Sequence, residues 1–327
     1  MNELTNAVPQ AIPAIYLWGI EFIKAVQTVA NPALTEVVKI FTDVSVYGFG
    51  ILIPLIYMWC IDYKKGLHLL YVLTFGTGLT DGIKLILHVP RPYTYAPEVM
   101  LTTETSFSTP SGHSFTGTLM YPAVLFYGAK TKLKNKLKIF LAIIFPFAIG
   151  VSRIYLGVHY PTDVLSGWFL GGFVFFIFFL FTEKIENKIS GFAEALSKVS
   201  SKNIKSVKFA AAAGFSFFLI LICNEKVYGA GALFGLAFGN IYIFEPLKIN
   251  FNASSGTPVQ KIFRFILGFA VSIIPVLAVY FAKINASHPQ FRLYVFLEFA
   301  AVGAIVSGLM PLIFVKLNLC RGKNAGR

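Results

Sequence analysis

Long apolar stretches separated by short polar segments run through almost the whole chain. Nine such stretches occur, at about residues 44–61, 66–88, 113–129, 139–157, 162–182, 207–223, 228–244, 262–282 and 293–316. A helix that crosses a bilayer needs about 20 mostly apolar residues. Charged residues make up only 13% of the chain, against roughly a quarter in soluble domains. The sequence therefore predicts an all-α, polytopic membrane protein with about nine transmembrane helices.

The chain is predicted to have three parts. Residues 1–43 are an N-terminal segment in which residues 11–30 are apolar, but Glu21 and Lys24 lie in the middle of that stretch and Pro13 near its start. This pattern favours an interfacial amphipathic helix, and a tenth span is the alternative. Residues 44–182 form five predicted spans, and residues 183–327 form four more with few ionisable groups. The first ten residues lack the basic start of a signal peptide.

Lysines between the apolar stretches predict how the chain is oriented in the membrane. Lys64 and Lys65, five lysines within residues 130–138 and six within 183–208 mark cytoplasmic loops by the positive-inside rule. The loops at 89–112 and 158–161 then lie outside. The net charge of +13 is interpreted as this topology, with anionic lipid head groups as the partner, and not as nucleic-acid binding.

Two further patterns concern packing. Gly231, Gly235 and Gly239 recur every four residues, which permits close helix approach, either in a homodimer interface or within the chain. The cysteines, Cys60, Cys223 and Cys320, are too few and too dispersed for a disulfide framework or a metal cluster. No metal or other cofactor is expected.

Ionisable residues at membrane depth are costly and are candidates for function. Lys84 and Arg91 lie seven residues apart near the outer end of the second stretch, close to His88, with Pro92 next to Arg91. Seven residues are about two helical turns, so both cations can project from one side toward a phosphoryl group. The alternative is that Lys84 extends outward or pairs with Asp81.

A second cluster opens the third stretch with Pro110, Ser111, Gly112 and His113. The start of a helix offers unpaired N–H groups and a positive dipole end, and glycine lets an anion approach closely. His113, in the first turn, could act as a general acid. The alternative is an ordinary serine cap beside an interfacial histidine.

The third cluster comprises Ser152, Arg153, His159 and Asp163. His159 and Asp163 stand four apart around Pro161, so a helical turn would bring the carboxylate against the imidazole. Such a pair can act as a nucleophile, because the carboxylate fixes the tautomer and leaves Nε2 free to attack phosphorus. Arg153 adds a planar fork for phosphate oxygens. The alternative is a structural pair.

Taken together, the three clusters resemble the three-part signature of the type 2 phosphatidic acid phosphatase superfamily, over roughly residues 40–182. The resemblance implies a helical phosphatase core and assigns a role to each signature residue. Lys84, Arg91 and Arg153 would bind phosphate with help from Ser111 and Gly112, while His159 would be the nucleophile, Asp163 its orienting partner and His113 the acid.

The expected function is therefore hydrolysis of lipid phosphate monoesters or pyrophosphates through a phosphohistidine, without metal. The expected location is a bacterial inner membrane, with the active site facing the periplasm or exterior. One alternative is a transporter or scramblase of lipids or undecaprenyl phosphate, although Glu298 is the only intramembrane charge in the C-terminal part that would suit one. Another alternative is an enzyme like the vanadate-dependent haloperoxidases. The particular lipid is left open.

Overall fold

The computed structural model describes residues 12–128, 133–197, 201–223, 227–246, 251–282, 284 and 288–320. Over this part of the chain the regular structure is entirely helical, which confirms the all-α prediction. The helices are α1 Ala14–Val26, α2 Pro32–Ile61, α3 Tyr63–Leu87, α4 Pro92–Tyr95, α5 Gly112–Pro122, α6 Asn135–Tyr155, α7 Pro161–Ser197, α8 Ser201–Ile222, α9 Tyr228–Phe238, α10 Pro258–Ser272, α11 Ile274–Phe281 and α12 Phe291–Lys316. Wider π-helical turns occur inside α2 and α12 and extend α5 to Gly128 and α9 to Phe244.

Seven helices among the described residues are long and apolar enough to cross a membrane. Two of the nine apolar stretches form shorter helices, Gly112–Gly128 and Tyr228–Phe244. A span needs about 20 residues, so these two fall short of the usual length. The polytopic architecture is thus confirmed, and the number nine is not.

Helix α2 begins well before residue 44, where the first apolar stretch was expected to start. The Asn31 side chain accepts a hydrogen bond from the Leu34 N–H at 2.9 Å, and Pro32 occupies the first helical position. Both are strong helix-start signals. The added turns carry the polar Glu36 and Asp43, so a search for apolar runs detects only the later part of this helix.

Apolar side chains project outward from the bundle. Phe169, Phe173 and Phe176 of α7 are 77%, 54% and 57% exposed, and their spacing places them along one helix face. A water-soluble protein rarely exposes such a continuous apolar stripe. This face is suited to contact with lipid hydrocarbon.

Helix α1 has 13 residues, fewer than a span requires. It packs beside the loop at 158–161, where the Tyr16 ring stacks on Tyr160 with centroids 4.9 Å apart. Beyond its end, the Gln27 amide donates hydrogen bonds of 2.8 Å to the carbonyl oxygens of Val99 and Tyr155. The interfacial position of this segment remains a prediction, but these contacts attach it to specific residues of the loops near the three predicted clusters.

The C-terminal helices pack directly against the N-terminal ones. The Trp59 indole N–H donates to the Val306 carbonyl oxygen at 3.1 Å, and the Tyr63 hydroxyl donates to the Ser307 carbonyl oxygen at 2.6 Å. Around Trp59 a buried cluster includes Met310 and Phe314 of α12. The two parts of the chain therefore share one hydrophobic core.

The repeated glycines of α9 and its extension face α12. A Cβ atom would lie 2.3 Å from the Phe296 carbonyl oxygen at Gly231 and 2.0 Å from the Ala300 carbonyl oxygen at Gly235. At Gly239 it would lie 2.3 Å from the Ser307 hydroxyl. The glycine spacing is thus accounted for by close packing within the chain.

We expect Gly235→Leu to lower the free energy of unfolding by about 1–3 kcal/mol or more, because overpacking at a helix contact forces the backbones apart. The matched control is Gly214→Leu on α8, where a Cβ would meet nothing within 4 Å. Thermal unfolding of both variants in detergent, followed by tryptophan fluorescence, measures the difference. Equal melting temperatures would contradict the packing role.

Candidate active site

The three predicted clusters converge where α3 and α6 end and α5 and α7 begin. The Ser111 N–H donates to the Asp163 carbonyl oxygen at 2.9 Å, which joins the second cluster to the third. An Arg91 nitrogen, Nη1, lies 3.2 Å from His159 Nε2, which joins the first cluster to the third. Hydrogen bonds thus connect segments that are far apart in the sequence.

His159 and Asp163 form the centre of the site, and both are almost completely buried. Helix α7 starts at Pro161, so its first turn places the Asp163 Oδ2 atom 3.4 Å from His159 Nδ1. Arg91 is always protonated and can only donate, so the adjacent His159 Nε2 carries the lone pair. In this neutral tautomer, Nδ1 bears the proton that faces the carboxylate.

Three further donors hold the Asp163 carboxylate. The Ser108 hydroxyl and the Tyr160 N–H, the latter at 2.8 Å, donate to Oδ2, and the Thr109 hydroxyl donates to Oδ1. Hydrogen bonds to an ionised carboxylate stabilise its charged form. The carboxylate is therefore fixed in position beside the imidazole.

Lys84 and Arg91 share acceptors in the loop that follows α4. Lys84 Nζ donates to the Ser106 hydroxyl at 3.2 Å and to the Phe107 carbonyl oxygen at 3.1 Å. Arg91 Nη2 donates to the same hydroxyl at 3.0 Å and to the same carbonyl oxygen at 3.3 Å, and its Nη1 donates to the Val158 carbonyl oxygen, in the loop before α7, at 2.8 Å. The two cations thus lie side by side, as their spacing on the chain predicts.

Arg153 is paired with Glu104. Its Nη2 atom donates to Glu104 Oε1, and the guanidinium is buried. The Tyr93 hydroxyl holds the Glu104 backbone on both sides, accepting from its N–H at 3.3 Å and donating to its carbonyl oxygen at 2.8 Å. A carboxylate is thus held on the arginine that the sequence predicts to bind phosphate.

The start of α5 presents Gly112 and His113 to a cavity that Lys84 and Glu104 also line. A Cβ atom at Gly112 would meet nothing within 4 Å, so an anion can approach the backbone there. The Ser111 hydroxyl is not directed to this space; it accepts from the Ser114 N–H and hydroxyl, as a helix cap does. His113 Nε2 lies 3.7 Å from Asp43 Oδ1.

Burial and the surrounding cations set the ionisation of two groups in the loops around the site, His159 and Glu104. Burial, followed by the charges of Arg91 and Lys84, lowers the pKa of His159 well below its usual value. Burial alone would raise the pKa of Glu104, but Arg153 and Arg91 outweigh it and lower that pKa. A neutral imidazole therefore stands in a cationic pocket that already attracts one carboxylate.

Sequence reasoning does not identify several residues whose side chains contact the predicted ones, among them Asp43, Glu104, Ser106, Ser108 and Thr109. The last four lie in the loop before the second cluster, and its high content of hydroxyl and acidic side chains is the available signal. The predicted boundary at residue 44 places Asp43 in the N-terminal segment, whereas α2 begins at Pro32.

This arrangement suits phosphoryl transfer to an imidazole: an unprotonated Nε2, a fixed carboxylate behind it, and cations in front of it. Within the described residues, no group of three or more His, Cys, Asp and Glu side chains is arranged to hold a metal ion.

Comparison with known proteins gives consistent matches. Residues 65–186 match the family model for the PAP2 superfamily, and residues 227–324 match the one for the PAP2 superfamily phosphatase, transmembrane extension. The chain is 36% identical over 192 residues to phosphatidylglycerophosphatase B of Bacillus subtilis (strain 168), covering 56% of this chain and 88% of that protein. It is 31% identical over 118 residues to an undecaprenyl-diphosphatase of Sulfolobus acidocaldarius, covering 35% of this chain and 53% of that protein.

Among solved structures, the chain is similar to the crystal structure of a transmembrane PAP2 type phosphatidylglycerolphosphate phosphatase from Bacillus subtilis. The two are 33% identical, with a TM-score of 0.45, over 54% of this chain and 89% of that chain.

We expect Glu104→Gln to strengthen the binding of a small oxyanion such as vanadate. The carboxylate competes with the oxyanion for Arg153, and a neutral amide competes less, so the inhibition constant should fall by about three- to tenfold. Vanadate inhibition of activity, or calorimetric titration with inorganic phosphate, measures the change. The control is Glu98→Gln, an exposed glutamate of the same loop that pairs with Lys24. Weaker binding in Glu104→Gln would mean that Glu104 positions Arg153 instead of competing for it.

Proposed function

Because this chain belongs to the PAP2 superfamily, we propose that it is an integral membrane phosphatase that hydrolyses lipid phosphate monoesters or pyrophosphates through a phosphohistidine intermediate. The observation that carries the mechanism is the orientation of His159. Its Nδ1 atom faces Asp163, and its Nε2 atom faces Arg91, which is also a phosphate-binding candidate.

Phosphate binding would exchange one set of acceptors for another. Lys84 and Arg91 now donate to the Ser106 hydroxyl and to loop carbonyl oxygens, and Arg153 donates to Glu104. The oxygens of a phosphoryl group carry more negative charge than the carbonyl and hydroxyl acceptors of Lys84 and Arg91 and would replace them. At Arg153 they would compete with the Glu104 carboxylate. The backbone at Gly112, at the positive end of α5, would complete the cradle.

The reaction would then proceed in two displacements. His159 Nε2 attacks phosphorus, and the bond between phosphorus and the leaving oxygen breaks. His113 gives that oxygen a proton. Asp163 stabilises the positive imidazole that results. Water then attacks the phosphohistidine and loses its proton to His113, which releases phosphate and restores both histidines. The Asp43 carboxylate, with Oδ1 3.7 Å from His113 Nε2, would be the partner of this imidazole when it carries the proton.

A lipid substrate fits an enzyme whose site lies among membrane helices. The relatives are named for a phosphatidylglycerophosphate and for an undecaprenyl pyrophosphate, so both a monoester and a pyrophosphate head group belong to the proposal. The lysine-rich segments at 130–138 and 183–208 favour a site on the outer face, in a bacterial inner membrane. A transporter of the same lipids would use paired intramembrane charges, but neither Glu298 nor the buried Arg264 of α10 forms an ion pair with any residue that the structure describes.

The activity is tested by phosphate release from a panel of lipid phosphates and pyrophosphates in detergent, with EDTA present throughout. We expect turnover to persist with EDTA, since Lys84, Arg91 and Arg153 supply the positive charge that a metal would supply. Vanadate should inhibit, because its five-coordinate adduct with His159 resembles the transition state. Loss of activity on chelation, with recovery on adding a divalent ion, would refute metal independence.

The two histidines should behave differently on substitution. His159→Ala should abolish both turnover and phosphoenzyme, because the attacking atom is gone. His113→Ala should lose about 10²- to 10⁴-fold in rate, the range for a general acid, and retain phosphoenzyme formation with a good leaving group. Turnover and acid-quench labelling with a radioactive substrate measure both effects.

The control for these variants is His288→Ala, an exposed histidine of the C-terminal region that contacts Gln290 and Tyr294. It should retain full turnover and labelling. Equal residual activity in His159→Ala and His113→Ala, or phosphoenzyme in His159→Ala, would overturn the assignment of roles.

A further inference from the structure

A cavity of about 670 Å³ extends from the candidate active site into the helical bundle. Its polar end is lined by Lys84, Glu104, Gly112 and His113, so it reaches residues that surround the proposed phosphate position. From there it continues between helices of the N-terminal part and helices of the C-terminal part. Its volume lies within the usual range for ligand pockets, roughly 300–1,000 Å³.

Helix α3 shows how deep the cavity goes. Its lining residues recur at steps of one, three and four, which places them on one face: Leu70, Leu73, Thr74, Thr77, Thr80, Asp81 and Lys84. From Leu70 to Lys84 is 14 residues, or roughly 21 Å at 1.5 Å per residue. The hydrocarbon core of a bilayer is about 30 Å thick, so the cavity follows α3 through much of the apolar depth.

The three threonines in this stripe do not make the wall polar. Thr74, Thr77 and Thr80 each donate their hydroxyl to a carbonyl oxygen one turn earlier on α3, at 2.8, 2.9 and 2.8 Å. Hydroxyls bonded in this way to their own helix have satisfied their donor within it. Below Lys84 and Asp81, this side of the cavity therefore offers little to a polar ligand.

The opposite wall comes from the C-terminal region and is mainly apolar. It includes Ala232 and Leu236 of α9, Phe269 of α10, Ile273, Val276 of α11, and Phe299, Val302 and Val306 of α12. At the polar end the Tyr228 hydroxyl donates to Asp81 Oδ2. This bond ties the C-terminal wall to α3 one turn before Lys84.

We propose that this cavity is a binding subsite for one hydrocarbon chain of the substrate, and that the C-terminal region exists in part to form its wall. The inference rests on the proposed phosphatase function. A ligand with its phosphate near Lys84 and His113 has mainly apolar space below it in this cavity, and a molecule with a long apolar tail gains free energy by filling that space. The subsite would select long-chain lipid phosphates over short, water-soluble ones.

The test compares a long-chain lipid phosphate with a short-chain, water-soluble analogue of the same head group. Ala232→Phe and Val276→Phe introduce a ring at the wall from two different helices. Each should lower kcat/KM for the long-chain substrate by about tenfold, since excluding even two methylene groups from an apolar site costs that much. Each should leave kcat/KM for the short-chain analogue unchanged.

The matched control is Ala278→Phe, the same kind of change at an exposed position of α11 that does not line the cavity. It should alter neither substrate's kcat/KM. If the unsubstituted protein hydrolyses neither phosphate, the proposed function fails. If it hydrolyses both, and the two wall variants have the same kcat/KM as the control for each substrate, the proposed subsite is overturned and the phosphatase function stands.

A measurement on the unsubstituted protein decides the case in which the wall variants lose both activities through misfolding. A non-hydrolysable long-chain phosphonate with a diazirine at the chain end is bound and irradiated, and labelled peptides are identified by mass spectrometry. Labels on the cavity-lining residues of α9, α11 or α12 support the subsite. Labels confined to the outward face of α7, around Phe173, would refute it.

Discussion

Burial of three cations around one imidazole is the constraint on which the rest of the site depends. Lys84, Arg91 and Arg153 are 6%, 4% and 2% exposed. A buried charge without partners is very costly, so each of these cations needs compensating partners within the protein. The loop between α4 and α5 does this, with carbonyl oxygens for two of the cations and Glu104 for the third.

The same loop also holds the partner of the proposed nucleophile, His159. Ser108 and Thr109 hold the Asp163 carboxylate, only a few residues after Ser106 and Phe107 bind the cations. A movement that released the cations to phosphate could therefore also alter the carboxylate behind the imidazole. The Ser111 N–H bond to the Asp163 carbonyl oxygen limits that movement. Ligand binding is thus expected to rearrange the Glu104 side of the loop more than the Thr109 side.

The sequence was sufficient to predict a polytopic helical membrane protein and to single out the three clusters that the structure brings together. Apolar runs reveal buried or lipid-facing helix, and ionisable groups among them stand out because membrane depth makes them costly. Helix boundaries were harder to predict. The polar start of α2 and the continuation of α7 to Ser197 carry too many charged residues to be recognised as part of an apolar run.

The partners of the signature residues were the least predictable part. Ser106, Ser108 and Thr109 are ordinary loop residues, and their roles depend on how the loop folds back over α3 and α7. Asp81 illustrates the same limit. Its contact with Lys84 stays a prediction from their spacing, while its hydrogen bond from Tyr228, 147 positions later in the chain, is one that no local pattern reveals.

Small residues in α9 explain how two parts of the chain come close enough to line one cavity. On one side, a Cβ at Gly229 would lie 2.9 Å from the Thr74 carbonyl oxygen of α3. On the other side, Gly231 and Gly235 allow α12 to approach just as closely. Helix α9 thus holds α12 near α3, and Val302 can line the same space as Thr77. Larger side chains on either side of α9 would separate these helices, so the glycine spacing sets the width of the cavity beside the candidate phosphate site.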